Sequence, residues 1–355
     1  WGVCVCERER ERERRIHMSA TTGGRLSVQR ILSGIQSTGS LTIGNYFGAI
    51  SNWVSLQHRE PHADLFYSVV DLHALTIRPD PLFLRSSTLK VTAALLACGV
   101  DPHRAALFRQ SKISAHSELH WILACNTPMS WLQRMTQFKD KSRGDKSKAN
   151  LGLFAYPVLQ AADILVYKAT HVPVGEDQQQ HLELARDIAT TVADRYGVVF
   201  PLPEMLSTSL PRVMSLRDGT CKMSKSDPSE MSRINLEDDS DTIRHKILKA
   251  KTDSLPHLSF DRNTRPEVSN LLQIHSLLSN KSMEHICQEH TSMKVFKEEL
   301  AELLVQHLHP ITTRLHELLL NPDYLVSVLR AGEDRAAAVA SRTLEEVKAA
   351  VGCLP

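Results

Sequence analysis

Arg30-Ile31-Leu32-Ser33-Gly34-Ile35 is an apolar run of strand length; it passes through Gln36-Ser37-Thr38-Gly39, and Thr42-Ile43-Gly44-Asn45 then opens a helical stretch to residue 57. A strand that turns through glycine into a helix is the first half of a crossover unit, which sets the next strand parallel to the first. The pattern recurs. Further strands are expected at residues 65–70, 105–108 and 171–174 and near 212–215, with helices at 81–98, 118–125, 128–138, 157–167 and 176–196. The fold class is therefore α/β, built on a parallel sheet, and such open sheets bind ligands at the carboxyl ends of their strands. The site is expected just after Ile35, Val70 and Val174.

The β signal fades after residue 235. Amphipathic segments at 241–251, 268–278, 296–304 and 343–350 then point to an all-helical region, with Arg244, His245, Lys246, Lys249 and Lys251 gathered at its start. Three parts are expected: residues 1–27, 28–235 and 236–355. The first alternates Glu and Arg from Glu7 to Arg15 and has no apolar face to pack, so it reads as a disordered extension. Met18 followed by an acid-free, Arg- and Ser-containing segment to Arg30 has the composition of a short organelle presequence.

A chain of 355 residues with 42% hydrophobic and 23% charged residues has ample material for a buried core, and disordered-tail compositions are excluded. The formal net charge is only +2, so a polyanion must be held by a local basic patch. Apolar runs such as residues 91–100 fall well short of the roughly 18 residues that argue a membrane helix, and no membrane partner is expected. The seven cysteines include no C-x-x-C pair and the seventeen histidines no H-E-x-x-H run, so no protein-bound zinc is expected.

Two segments carry chemistry. Gly39 and Gly44 clear side chains from the turn where a nucleotide would lie against backbone, and the helix start offers N–H groups to phosphate. Neither G-x-x-x-x-G-K-[ST] nor G-x-G-x-x-G occurs, which excludes the usual P-loop and dinucleotide modes. Some 180 residues later, Lys222-Met223-Ser224-Lys225-Ser226 follows Arg217-Asp218-Gly219. Two lysines and two serines in a polar loop supply cations and hydroxyls to a polyphosphate.

With both segments flanking one α/β sheet, the sequence resembles the class I aminoacyl-tRNA synthetases, whose HIGH and KMSKS motifs bind ATP. Thr42-Ile43-Gly44-Asn45 is a divergent form of the first motif. Finer matches resemble the tryptophanyl family: Ser33-Gly34-Ile35-Gln36, Val70-Asp71-Leu72-His73, Met135-Thr136-Gln137-Phe138-Lys139, Tyr156-Pro157 through Asp163-Ile164-Leu165, and Val172-Pro173-Val174-Gly175-Glu176-Asp177-Gln178. The wording of the second and last blocks looks most like mitochondrial members.

The resemblance implies a Rossmann-like catalytic domain, an all-helical anticodon-binding domain and a homodimer. It implies ATP, L-tryptophan and tRNA(Trp) as partners, with Mg2+ arriving on ATP. Thr42, Asn45, Lys141, Lys222 and Lys225 would act on the reacting phosphates. ATP would also meet Gln36, Ser37, Thr38, Gly44, Gly175, Glu176, Asp177, Val213, Met223, Ser224 and Ser226. Tryptophan would meet Leu32, Gly34, Gln36, Val70, His73, Val172 and Val174, with Asp163 accepting from the indole N–H and Tyr156 and Gln178 near the amino group. Tyr156, Gln160 and Asp163 stand at i, i+4 and i+7, so one helix face carries them, and an Asp on an apolar helix needs a partner.

Three positions depart from the family pattern: Leu32 stands for an aromatic, Gln160 for Met and Ser37 for Pro. The alternatives are a tyrosyl-type enzyme, in which Asp163 would accept from a phenol, and an RNA-binding relative without activity. The mitochondrial matrix is the expected compartment, the cytoplasm the alternative.

Overall fold

The computed structural model describes residues 28–135, 150–175, 178–207, 212–225, 227–255 and 257–354. Five strands, β1 (Arg30–Ile35), β2 (Asp64–Val69), β3 (Ala105–Arg109), β4 (His171–Val174) and β5 (Glu204–Ser207), form one sheet in the order β3-β2-β1-β4-β5. Every pairing is parallel, and β1 lies against β2 in the register Arg30↔Asp64 to Ile35↔Val69. The fifth strand lies at Glu204–Ser207 rather than near residues 212–215, where an isolated antiparallel bridge joins Met214 to Lys222. The latter segment pairs with the lysine loop, which satisfies its backbone without joining the sheet.

Helices cover both faces: α1 (Ser51–Arg59), α2 (Pro81–Ala97), α3 (Ala115–Ala124), α4 (Leu151–Val166) and α5 (Gln179–Tyr196). A single α turn at Ile43–Asn45 and a π segment at Tyr46–Ile50 lead into α1. The helix expected from residue 157 starts six residues earlier and carries Pro157 inside it, with Asn150 capping the Leu153 N–H. Likewise α5 starts at Gln179, not at residue 176. The segment expected to be helical at 128–138 contains a short helix at Met129–Gln133, and its residues from 136 onward lie outside the described residues.

The remaining helices are α6 (Ser240–Leu248), α7 (Pro266–Ser279), α8 (Met283–Glu289), α9 (Met293–Leu319) and α10 (Pro322–Ala350). They share apolar cores with the sheet. One cluster joins Ile31 and Leu107 to Leu300 and Leu329, and another joins Phe66 and Phe108 to Ala336 and Val347. The α10 backbone approaches β3 at Gly332 so closely that a Cβ there would overlap the Leu107 carbonyl. Arg109 of β3 grips Glu333 of α10 through two hydrogen bonds of 2.6 and 3.1 Å. Among the described residues no helix is long and apolar enough to cross a membrane.

Candidate active site

In this strand order the chain leaves β1 toward one side of the sheet for β2 and returns on the other side as β4, so a crevice opens between their carboxyl ends. A cleft of about 1250 Å³ occupies this place. Its floor includes Gly34 and Gln36 at the end of β1, Val70 and His73 after β2, and Val174 and Gly175 at the end of β4.

At one end the two motifs touch. Gly44 lies under Met223, where a Cβ would stand 3.5 Å from the methionine Cβ, and Lys225 Nζ donates to the Gln36 carbonyl at 3.1 Å. Burial pulls the Lys225 ammonium down to about 8. Lys222 also lines the cleft, together with Arg212 and Arg262, so this end gathers four cations. Such a set suits a polyphosphate. Thr38, Asn45 and Val213 complete the expected ATP residues on the cleft wall.

Thr42 stands elsewhere. It is buried at the helix start, where its hydroxyl accepts from the Asn45 N–H and the Asn45 carboxamide oxygen accepts from the Thr42 N–H at 3.0 Å. Its role in the fold is a capping box, and Asn45 alone of the pair lines the cleft. The Ile43 N–H is likewise engaged, by the Ile234 carbonyl at 3.0 Å, so the helix start keeps fewer donors for phosphate than the sequence suggests. Ser37 is buried off the cleft with its hydroxyl unpartnered, and Ser224 is exposed beside the loop. Lys141, Glu176, Asp177 and Ser226 lie outside the described residues.

The other end is lined by Leu32, Tyr156, Gln160, Asp163, Val172 and Gln178. Asp163 is buried, and its partners are not lysines. Its Oδ2 lies 2.8 Å from His73 Nε2 and its Oδ1 2.7 Å from His116 Nδ1, while Gln110 Nε2 donates to both oxygens at 2.7 and 2.9 Å. Burial alone would raise its pKa, but the hydrogen bonds from His116 and His73 and their charge hold the carboxyl well below the usual range. His116 Nε2 faces the Tyr167 hydroxyl at 2.8 Å. A proton on His116 Nδ1 gives to Asp163, and Nε2 on the other side of the ring meets the Tyr167 hydroxyl. The carboxylate has about four acceptor sites and takes four contacts from three donor groups, two on each oxygen, so a further donor must replace one of the two Gln110 contacts.

Tyr156 Oη lies 2.9 Å from His181 Nε2, and burial pushes the phenol up to about 12, so it stays a donor at neutral pH. Gln160 donates to Gln178 at 3.3 Å, which ties α4 to the start of α5. Gln110, His116, His181, Arg212 and Arg262 were not among the residues expected from sequence. Gln110 could have been found, since it directly follows β3 at the carboxyl end of a strand. His116 and His120 do stand at the i, i+4 spacing of metal-binding pairs, but His116 is committed to Asp163 and Tyr167.

The chain matches the family model for class I tRNA synthetases (W and Y) over residues 27–311. It is 50% identical over 326 residues to tryptophan-tRNA ligase of Rickettsia conorii, an alignment covering 91% of this chain and 98% of that protein. It is 48% identical over 349 residues to the ligase of Brucella suis, with 91% and 98% covered. Among solved structures, tryptophanyl-tRNA synthetase of Mycoplasma pneumoniae superposes with a TM-score of 0.83 at 34% identity, covering 92% of this chain and 98% of that one. The Campylobacter jejuni enzyme, complexed with ADP and tryptophan, superposes with a TM-score of 0.78 at 33% identity, covering 91% and 100%.

Proposed function

The chain belongs to the class I tRNA synthetases of the W and Y family, and from that premise we propose how its cleft performs the reaction. It is a tryptophan-tRNA ligase: it activates L-tryptophan with ATP and transfers the aminoacyl group to tRNA(Trp). The carrying observation is that one cleft joins the two ATP motifs at its cationic end to the buried Asp163 at the other.

Tryptophan lies with its indole toward Asp163, where its N–H replaces one of the two Gln110 contacts, and with its amino group toward Tyr156 and Gln178. A tryptophan carboxylate oxygen attacks the α-phosphorus of ATP, which arrives as the Mg2+ complex. The bond to the bridging oxygen breaks, and pyrophosphate leaves with that electron pair. Lys222 and Lys225 face the charge that develops on the leaving group, and Asn45 and Gln36 orient the nucleotide. In the second step the terminal adenosine hydroxyl of the tRNA attacks the carbonyl and AMP departs. No covalent protein intermediate is needed; the protein supplies position and preorganised charge.

Residues 236–355 form the part that holds the anticodon, supported by the exposed His245 and Lys249, while Arg244, Lys246 and Lys251 are engaged by Glu302, Asp238 and Glu267. The working form is a homodimer. Support comes from the exposure of Leu75, Ile77, Leu82, Trp121, Met129 and Leu151, with Leu151 set beside Ile77 because Asn150 Nδ2 donates to the Thr76 carbonyl at 2.9 Å. Its compartment is the mitochondrial matrix, supported by the acid-free segment before Arg30; a fluorescent fusion of the full chain that stays in the cytoplasm would refute it. The functional test is amino-acid-dependent ATP–pyrophosphate exchange. Exchange with tryptophan alone is expected, whereas exchange with tyrosine would move the pocket to the sister specificity, and no exchange from folded protein would favour an RNA-binding relative.

A further inference from the structure

Three side chains that the aminoacylation chemistry does not use meet in the helical region. His275 on α7, His290 just after α8 and Glu299 on α9 bring their nitrogen and oxygen atoms within 4.8 Å of one another. His275 Nε2 lies 3.1 Å from one Glu299 oxygen, and His290 Nε2 lies 2.7 Å from the other. The residues are 15 and 9 positions apart and fit no linear metal pattern, so their meeting is invisible before folding.

The far side of the His290 ring fixes where its first proton sits. His290 Nδ1 is 2.9 Å from the Ile286 carbonyl, which can only accept, so the proton of the neutral ring sits on Nδ1. Its Nε2 then faces a carboxylate oxygen, and two acceptors in contact need either a second ring proton or a metal ion between them. His275 can take the same posture: its Nδ1 is 3.2 Å from Ser279 Oγ, and with the ring proton on Nδ1 its Nε2 lone pair faces Glu299. An imidazole whose outer nitrogen donates to oxygen while the inner one faces a shared centre is the usual posture of a metal-bound histidine.

The rings are also held in place. His275 is fully buried and stacks on Phe296 with centroids 5.6 Å apart, and His290 meets the same ring edge-on at 5.5 Å. Glu299 is partly exposed, which leaves a path for an ion and for a water as fourth ligand. Protons on the two Nε2 atoms hold the same contacts while no ion is bound, and a metal displaces them, so the three side chains form a preformed donor set. We propose that His275, His290 and Glu299 bind a divalent transition-metal ion of zinc-like preference, which pins α7, the turn after α8 and α9 together. Two imidazoles and a carboxylate are a donor set that Zn2+ accepts, with water completing a tetrahedron.

The test is Zn2+ titration calorimetry on the full, chelator-stripped chain, with Co2+ absorption as a reporter of coordination. The wild type should bind Zn2+ at this site, with affinity lowered about tenfold or more by Glu299→Gln and by His290→Gln. Zn2+ should raise the thermal midpoint of the wild type and not of the variants. Bound Co2+ should give tetrahedral bands without thiolate charge transfer. Neither residue lines the cleft, so tryptophan-dependent exchange should persist in both variants and certify their fold. If His290→Gln fails to fold, the half-exposed Glu299→Gln carries the test. No Zn2+ binding, binding unchanged by the substitutions, or a sulfur-type Co2+ spectrum overturns the proposal.

Discussion

Asp163 shows how much a single buried carboxylate depends on its surroundings. Three donor groups hold it ionised, and in the proposed function the indole N–H joins them by replacing one Gln110 contact. Asp163→Asn keeps the shape but turns an NH2 toward those donors and removes the charge. Breaking such a buried charged network costs about 3–5 kcal/mol. The kcat/KM for tryptophan in exchange should therefore fall by 10²-fold or more, on the order set by 1.4 kcal/mol per decade, while KM for ATP moves little. Equal losses for both substrates would show that Asp163 serves the fold only. Lys225 offers a second test. Its ammonium is desolvated and titrates at about 8 rather than 10.5, so kcat/KM for ATP should decline as pH rises through about 8. Lys225→Arg, which stays charged, should remove that decline. The sign for stability is opposite. Between about 8 and 10.5 the folded chain holds fewer protons at this group than the unfolded one, so stability from Lys225 rises with pH across the same window. Of this site, Asp163, His73 and Lys225 were legible because a motif or strand end marked them; His116 was not, because nothing in a helix sequence reveals which carboxylate its imidazole will meet.

The elements were legible where local pattern and tertiary demand coincide. β1 and β4 fell on their expected residues because each is a short apolar run bounded by turn residues. β5 was misplaced because Glu204–Ser207 is only four residues long and pairs along one edge alone, leaving little alternation to read. The start of α4 was hidden by Pro157, which reads as a first-turn residue but sits inside the helix. Contacts between elements leave even less trace. Gly332 looks like an ordinary blemish in a long helix, yet it lets α10 press its backbone against β3. Gly332→Ala should destabilise the protein by about 3 kcal/mol, since backbone on both sides leaves the new methyl no space. Urea unfolding measures this directly. A neutral or stabilising result, as expected for Gly→Ala in an open helix, would mean that α10 can move away from the strand.

At the scale of the whole molecule, residue 235 marks a change of composition, yet α10 returns to cover the sheet. Ala336, Ala340 and Val347 share a core with Phe66 and Phe108, and Lys168 of the sheet side pairs with Glu346 at 2.5 Å. Arg335 also donates to the Ala105 carbonyl at 2.8 Å, closing the start of β3. Two designs would treat this helix differently. If α10 served only the tRNA, a chain ending at Asn321 would still exchange pyrophosphate with tryptophan and would lose only tRNA charging. The packing indicates the other outcome. Removing α10 uncovers the apolar face of β3 and takes Glu333 away from Arg109, and the loss of that apolar burial outweighs any relief. The truncated chain should therefore lose tryptophan-dependent exchange together with its cooperative unfolding transition. Exchange at more than half the full-chain rate from the truncated protein would separate the helix from the catalytic fold.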